Sequence, residues 1–296
     1  MYHAVAPNPG DDVWTVATEE FRRQIADLKA AGYRTILPKD LVRAYRWKFW
    51  LPRQPIIITF DDGLLGVMTD AEPILRDAGF QAISYLITGS IADAPAERMP
   101  YRSYECLTWE EVRGMLDRGT IAFGIHTHSH APNPARLAQE VGECRHLFKR
   151  KTGVKTRDFC YPYGSAPDAL RQAVVDGRYH TALICEDQVF TNAPGADLFR
   201  IPRVSVYGGS HAFSVSAESL SPDGVFSAEV NNAGVPLPVR ARLRDRASGQ
   251  TWILPPGERL GPAPQRWCWT NLPPGLDPAS LQVEILEQNG LFTYHP

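Results

Sequence analysis

Two adjacent carboxylates, Asp61 and Asp62, are the first residues whose type and position suggest chemistry. They follow a continuous apolar run, residues 56–60, which has the pattern of a fully buried parallel strand. Carboxylates side by side at a buried strand end repel each other and lose solvation unless a cation or a proton relieves them. The pair also suits a simple turn, because Asp-Asp-Gly is good turn chemistry, so this motif alone leaves both interpretations open.

A histidine motif is the second candidate. His126, His128 and His130 follow another predicted strand, residues 121–125. The i, i+4 spacing of His126 and His130 would let both imidazoles meet on one side of a helical turn, and imidazole nitrogen suits zinc and other divalent transition metals. His128 would lie on the other side of such a turn, so we do not predict it as a ligand. The alternative is a polar, partly exposed loop.

The two motifs together are more specific than either one alone. One carboxylate and two imidazoles make a three-ligand metal site with open positions, which is the catalytic rather than the structural pattern. The other carboxylate would remain free to act as a base. A third motif, residues 159–164, has the sequence Phe-Cys-Tyr-Pro-Tyr-Gly, and its Pro and Gly also fit an ordinary strand-to-turn junction.

Helix-like and strand-like segments alternate up to about residue 211. Each predicted helix is followed by a glycine stop or opened by a capping pattern, as in the Thr-Trp-Glu-Glu box at residues 108–111. Repeated β-α units with buried strands predict a parallel sheet, open or closed into a barrel, with its chemistry at the C-terminal strand ends. The predicted helices are residues 18–31, 64–78, 108–118, 133–152 and 166–176. The predicted strands are residues 56–60, 82–87, 121–125, 159–161, 181–185 and 203–207.

The sequence changes character after about residue 211. Eleven of the 25 prolines and none of the lysines lie between residues 212 and 296. Residues 239–244 and 281–285 alternate strictly between apolar and polar types, which is the period of a half-buried strand. We therefore predict a domain at residues 1–211 and a small antiparallel, sandwich-like β domain at residues 212–296. Its tryptophans could stack on sugar rings, but core packing is the favoured interpretation: they are Trp252, Trp267 and Trp269.

The overall composition and net charge give no sign of a nucleic-acid or membrane partner. The chain has 296 residues, of which 44% are hydrophobic and 22% charged, with a formal net charge of −2. This balance indicates neither nucleic acid nor an anionic membrane as a partner. No apolar run approaches the ~20 residues of a membrane span. The first residues lack a signal-peptide pattern, so we expect a cytoplasmic location as given, or a secreted or periplasmic one if an upstream signal was removed.

The cysteines predict neither a disulfide framework nor a structural zinc site. They are odd in number, widely spaced and include no CxxC pair, so buried reduced thiols are expected. The five are Cys106, Cys144, Cys160, Cys185 and Cys268.

Three motifs of the chain resemble those of a known protein family. Thr-Phe-Asp-Asp-Gly at residues 59–63, His-Thr-x-x-His at residues 126–130 and Tyr-Pro-Tyr-Gly at residues 161–164 are similar to the first three motifs of the NodB-like polysaccharide deacetylases, carbohydrate esterase family four. The Tyr-His at residues 2–3 and the segment Phe-Arg-Ile-Pro-Arg-Val at residues 199–204 also resemble segments of that family. The resemblance covers roughly residues 1–211.

The resemblance implies a distorted (β/α) barrel with a divalent metal. By that likeness Asp62, His126 and His130 would hold the metal, with zinc as the first candidate and cobalt, nickel or manganese as alternatives. Asp61 would be the general base. The backbone N–H of Tyr163 would help to form the oxyanion hole.

The chain also departs from the family pattern. Cys160 stands where the third motif often has an arginine, and we find neither a clear Asp-x-x-Asp-Trp fourth motif nor the Leu-x-His fifth motif that usually carries the general acid. Arg203 is a candidate replacement for the missing arginine beside Asp61. His3 is the preferred acid, because the end of the opening strand should face the site. The histidines considered for that role are His3, His180 and His211.

The expected reaction is hydrolysis of an acetamide on an N-acetylhexosamine unit of a saccharide. A metal would polarise the acetyl carbonyl and lower the pKa of water, while Asp61 takes the proton. Three alternatives remain: an O-acetyl ester substrate, a non-sugar amide, or a carbohydrate-binding protein that has lost turnover. The intact Asp61 opposes the last, because a binding module needs no base. The expected partner is therefore an acetylated saccharide.

Overall fold

The structure is a computed structural model with two compact units, Met1–Gly209 and Ser210–Pro296. It describes residues 1–10, 12, 14–131, 133–186, 190, 195–208, 214–231, 240–253, 265–270, 272–286 and 293–294. His211 lies outside the described residues. Within the described ranges, every helix is too short or too polar to cross a membrane.

Six α-helices lie in the described part of the first unit. Thr108 caps the fourth helix with its side chain and Glu111 bonds back to the Thr108 N–H, so the predicted capping box is confirmed. The Asn133 side chain also caps the fifth helix, by accepting the N–H groups of Ala135 and Arg136. The predicted helix at residues 64–78 is only partly α-helical. Val67–Ala71 forms a π-helical turn, and the α-helix begins after it, at Glu72. The helices are α1 (Thr18–Ala30), α2 (Pro38–Trp47), α3 (Glu72–Ala78), α4 (Trp109–Arg118), α5 (Pro134–Thr152) and α6 (Asp168–Asp176).

The first unit has eleven short strands within its described part. Five of them form one parallel sheet in the spatial order β5, β6, β9, β10, β11. The strands are β1 (Ala4–Ala6), β2 (Thr15–Ala17), β3 (Arg34–Thr35), β4 (Pro55–Ile56), β5 (Thr59–Phe60), β6 (Ala82–Leu86), β7 (Pro100–Tyr101), β8 (Tyr104–Glu105), β9 (Ile121–Ile125), β10 (Asp158–Cys160) and β11 (Thr181–Leu183).

Backbone contacts continue from one edge of this sheet round to the other. Tyr2 bridges β5, and Ile201 bridges β11. Between these two outer segments, Val206 donates its N–H to the Met1 carbonyl at 2.8 Å, and the Met1 nitrogen donates to the Val204 carbonyl at 2.7 Å. The sheet therefore curls into a distorted barrel, as predicted. The strand predicted at residues 203–207 is wrong. This segment closes the barrel through separate backbone hydrogen bonds and does not form a continuous β-ladder.

Strand burial explains why the chemistry-bearing motifs lie where they do. All five residues of β6 are buried, since the sheet is covered on both faces by helices and by its own curvature. The predicted strand at residues 56–60 is divided into β4 and β5, and its last residue, Phe60, is completely buried. The carboxyl ends of β5, β9 and β10 thus deliver the three motifs to the same end of the barrel.

The residues that the structure describes in the second unit form two antiparallel sheets. Their spatial orders are β12, β13, β16 and β15, β14, β17, β18. Trp269 is buried in the core of this unit and Trp252 packs against that core, so core packing is confirmed for these two. The Trp267 side chain lies outside the described part. The strands are β12 (Ser214–Leu220), β13 (Phe226–Asn231), β14 (Arg240–Asp245), β15 (Thr251–Ile253), β16 (Gln265–Trp269), β17 (Leu281–Leu286) and β18 (Thr293–Tyr294).

Candidate active site

The two aspartates lie in a tight turn at the end of β5. Both side chains are buried. Asp62 and Gly63 have φ angles of 70° and 77°, a left-handed conformation that glycine adopts freely and aspartate adopts at some cost. The Gly63 N–H donates to the Asp61 carbonyl at 3.0 Å, which closes the turn. This sharp reversal lets neighbouring residues send their carboxylates to different partners.

Asp62, His126 and His130 come together as one buried cluster. One ligand atom from each lies within 4.8 Å of the others. The Asp62 Oδ1 is 3.6 Å from the His126 Nε2, and the two imidazole rings have centroids 4.8 Å apart. The structure therefore brings together the three side chains that the sequence suggested as metal ligands.

The backbone conformation that brings the two imidazole rings together differs from the one predicted. Residues 126–130 form a loop and not a helical turn, with left-handed φ angles of 68° at Thr127 and 49° at His130. Glu140, on α5, holds this loop by accepting the N–H groups of His128 and Ser129 at 3.0 and 2.9 Å. The loop is thus shaped by its contact with a helix rather than by helical spacing.

His128 points to a separate partner. Its Nδ1 lies 3.1 Å from the Thr88 hydroxyl, outside the cluster of three ligand atoms. A Cβ on Gly89 would come within 2.5 Å of the His128 carbonyl oxygen, so only glycine fits where these two loops touch.

Hydrogen bonds orient both histidine rings. The His126 Nδ1 lies 2.8 Å from the Cys160 carbonyl, which directs its Nε2 toward Asp62. The His130 Nδ1 lies 3.0 Å from the Tyr101 hydroxyl. Tyr163 packs its ring against His130 at 4.6 Å and donates its hydroxyl to the His130 carbonyl at 3.0 Å. Such outer contacts fix the tautomer and direction of histidines that bind metals.

We expect Tyr101→Phe to lower metal affinity by about 10–100-fold, because removal of an outer partner frees the ring of a metal-binding histidine. Tyr104→Phe is the matched control, since this tyrosine is in the same hairpin and its hydroxyl bonds to Thr15 instead. Competition with a chromophoric chelator would measure both affinities. Equal affinities in the two variants would contradict the role of Tyr101.

Asp61 is paired with Arg203 and not with the cluster. The guanidinium donates to both carboxylate oxygens, at 2.7 Å to Oδ1 and 2.8 Å to Oδ2. It also donates to the Thr59 hydroxyl at 3.2 Å and the Ile184 carbonyl at 3.2 Å. Its Nη2 is 3.0 Å from the Cys160 sulfur. An arginine therefore does lie beside Asp61 although the third motif has cysteine, as the sequence suggested for Arg203.

The two carboxylates differ in charge state because of these surroundings. Burial alone would raise the pKa of Asp61, but the adjacent Arg203 guanidinium brings it well below its usual range. Burial and the neighbouring Asp61 carboxylate raise the pKa of Asp62 to about 7. Burial lowers the pKa of His126 to about 4 and that of His130 to about 3, so both rings are neutral near pH 7.

This donor set fits a divalent cation. Metal binding needs neutral imidazoles and an ionised carboxylate, and a cation would relieve the repulsion that raises the pKa of Asp62. Asp61, His126 and Cys160 form a second close group. That group fits less well, because Arg203 already occupies Asp61 and burial raises the pKa of the Cys160 thiol, which keeps it protonated.

Left-handed backbone is concentrated at this site. Among the described residues, eight other than glycine have positive φ, and five of them surround the cluster. Such conformations are costly and gather where a site needs an exact geometry. The five are Asp62, Arg102, Thr127, His130 and Tyr163.

Of the two candidate acids that the structure describes, His3 and His180, it is His3 that lies near the cluster. Burial lowers the pKa of His3 to about 4, and its charge interacts with Asp61 and Arg203. Its Nδ1 is buried and has no hydrogen-bond partner among the described residues. His180 precedes β11 at the opposite end of the barrel, since its N–H bonds to Arg157 ahead of β10.

Two supporting residues were not identified from the sequence. Tyr101 is far from every motif along the chain and meets His130 only through the fold. Glu140 is at an interior position of α5, where a glutamate ordinarily faces solvent. The sequence carries no local signal for either contact, because both depend on how a hairpin and a helix pack against the histidine loop.

Comparison with known proteins shows which proteins this chain resembles. The family model described as polysaccharide deacetylase matches residues 51–182. The poly-β-1,6-N-acetyl-D-glucosamine N-deacetylase of Staphylococcus epidermidis is 24% identical over 205 residues, which cover 65% of this chain and 68% of that protein.

Two solved structures share the fold. The Streptococcus pyogenes deacetylase PplD has a TM-score of 0.60 at 21% identity, covering 70% of this chain and 90% of its own. IcaB from Ammonifex degensii has a TM-score of 0.60 at 24% identity, covering 69% and 89%. These matches agree with the resemblance to the NodB-like polysaccharide deacetylases, carbohydrate esterase family four, that the sequence motifs indicate.

Proposed function

We propose that the protein is a metal-dependent hydrolase that removes N-acetyl groups from N-acetylhexosamine units of a saccharide or polysaccharide. The observation that carries this proposal is the separation of two neighbouring aspartates, one in the His126 and His130 cluster and one held by Arg203. The named relative from Staphylococcus epidermidis acts on poly-β-1,6-N-acetyl-D-glucosamine. A β-1,6-linked N-acetylglucosamine polymer is therefore the first substrate to test.

Asp62, His126 and His130 would hold the metal, with zinc as the first candidate and cobalt, nickel or manganese as alternatives. A bound divalent metal supplies Lewis acidity, which polarises a carbonyl and acidifies water. Two outer contacts keep these ligands in place. The Cys160 carbonyl and the Tyr101 hydroxyl each engage the Nδ1 of one ring, which leaves both Nε2 atoms for the ligand role.

Asp61 is the proposed general base. Arg203 keeps its carboxylate ionised and in one orientation, so that it is ready to accept a proton from the attacking water. The same pairing makes Asp61 a weak base. Asp61 is therefore suited to take the proton from a water molecule whose own pKa is already lowered.

Tyr163 and His3 are proposed for the two remaining tasks. Tyr163 has a left-handed backbone and packs its ring against His130, and its backbone N–H is proposed to help stabilise the oxyanion of the tetrahedral intermediate. His3 is proposed to protonate the leaving amine. Because burial lowers its pKa to about 4, His3 is neutral at pH 7 and donates only a proton received during turnover.

A mass-spectrometric screen of acetylated oligosaccharides tests the activity directly. We expect the loss of one acetyl mass from N-acetylglucosamine oligomers. Chitin oligomers and β-1,6-linked oligomers should be compared with p-nitrophenyl acetate and O-acetylated glycans. Turnover of esters alone would replace the amidase with an O-acetyl esterase, and binding without turnover of any substrate would indicate a carbohydrate-binding protein.

We expect about one divalent metal per chain, with Asp62→Ala and His126→Ala each losing most of it, because either change removes one of three protein ligands. His128→Ala is the matched control, since that ring bonds to Thr88 outside the cluster. Elemental analysis after dialysis measures the content. Activity that survives complete chelation, or equal metal loss from all three variants, would contradict the assignment.

A further inference from the structure

Five consecutive exposed residues, 46–50, lie at the end of α2 and in the loop toward β4. Their sequence is Arg-Trp-Lys-Phe-Trp. Trp47 and Phe49 are each 64% exposed, and Trp50 is 96% exposed. Large apolar side chains grouped in this way on a surface are typical of an interaction site rather than of an ordinary solvated face.

The local structure holds this segment outward. Tyr45 before it and Leu51 after it both pack against the core of the barrel. Between these two anchors, α2 ends at Lys48 in the left-handed conformation, with φ of 59°. The aromatic side chains are thus displayed between two fixed points and are not an unanchored tail.

The charged residues within positions 41–54 are all basic, and one of them, Arg43, pairs with Asp40 just before this window at 3.6 Å. Residues 41–54 contain no Asp or Glu. A net charge of −2 for the whole chain conceals this local excess. Basic residues interleaved with Trp and Phe suit the headgroup region of an anionic bilayer, where rings insert at the interface and cations meet lipid phosphates. The four basic residues are Arg43, Arg46, Lys48 and Arg53.

We propose that residues 46–50, with Arg43 and Arg53 beside them, bind the surface of an anionic lipid bilayer. The segment leads into the start of β4, whereas Asp61 and Asp62 follow the end of β5. Contact with lipid therefore occurs at the opposite end of the barrel from the candidate active site. The candidate active site therefore lies on the side of the barrel away from the bilayer. The proposal does not depend on the deacetylase assignment.

Co-sedimentation of the full chain with vesicles tests this surface. We expect binding to vesicles that contain about 30% phosphatidylglycerol and little binding to pure phosphatidylcholine, with affinity falling as salt rises. W47A/F49A/W50A should weaken binding by at least about tenfold. R46E/K48E should weaken it by about 25-fold or more, since each basic residue near an anionic surface contributes a factor of about five.

The matched control is K149E/R150E, which makes the same charge change at exposed residues of α5. It should retain vesicle binding, and thermal unfolding should confirm that all three variants fold. Turnover of a soluble oligosaccharide should be the same in all of them. Equal loss of binding in the control, or no binding of the natural chain to anionic vesicles at 0.1 M salt, overturns the proposal. Binding to heparin without binding to vesicles also overturns it, in favour of an anionic polymer.

Discussion

Asp61→Asn is expected to lower kcat by about 10²–10⁴-fold, the usual contribution of general-base catalysis. Asparagine keeps the shape of the side chain but cannot accept the proton. Metal content should stay close to that of the natural protein, because Asp61 is not part of the ligand cluster. KM should change much less than kcat, since the lost interaction acts mainly in the transition state.

Asp62→Ala is the comparison that makes this result specific. The two aspartates are neighbours of the same type, so an account in which they only form a turn predicts similar, mild effects. We expect Asp62→Ala to lose metal and Asp61→Asn to lose rate with metal in place. The reverse pattern would exchange the two roles, and unchanged metal and rate in both variants would remove the deacetylase assignment.

Stability must be measured alongside the rate. In Asp61→Asn the amide offers Arg203 one acceptor where the carboxylate offered two. A buried guanidinium with a missing partner is costly. Part of any fall in activity would then reflect unfolded protein, so the rate should be expressed per folded molecule, from a denaturant titration of the same sample.

The candidate metal ligands could be found from sequence because their signal is local. Each motif directly follows a buried strand, and parallel strands bring their carboxyl ends together. The conformation of the histidine motif could not be found in this way. The spacing of His126 and His130 suggested a helical turn. The two rings instead come together in a loop that has left-handed residues at Thr127 and His130 and is held by Glu140.

The boundaries of the elements show the same division between local and distant causes. Capping at Thr108 and Asn133 is encoded within four residues, and both helices begin as predicted. The segment at residues 203–207 has the apolar alternation of a strand. Its actual conformation depends on the residues at the start of the chain, with which it closes the barrel.

Arg203→Met is expected to destabilise the fold by about 3–5 kcal/mol, because it leaves the buried Asp61 carboxylate without its counter-charge. Arg203 and Asp61 are only 5% and 4% exposed, so water cannot take over the lost contacts. Arg200→Met is the matched control. Its pair with Glu186 is 48% and 44% exposed and should contribute at most about 1 kcal/mol. Urea unfolding measures both changes.

The pH dependence of that loss identifies its cause. In the natural protein Arg203 holds the pKa of Asp61 below its unfolded value of about 3.9. The pair therefore stabilises the fold fully above that pH and loses its contribution as the pH falls through the folded pKa. In Arg203→Met the main counter-charge is gone and burial raises the pKa of Asp61, so the variant loses stability as the pH rises through the raised value. The difference in unfolding free energy between the two proteins should thus grow from acid to neutral pH.

D61N/R203M should recover part of the loss, since neither charge remains buried alone. A difference that does not change with pH, or a double variant as unstable as the sum of the single ones, would show that Arg203 acts through packing and not through its charge on Asp61.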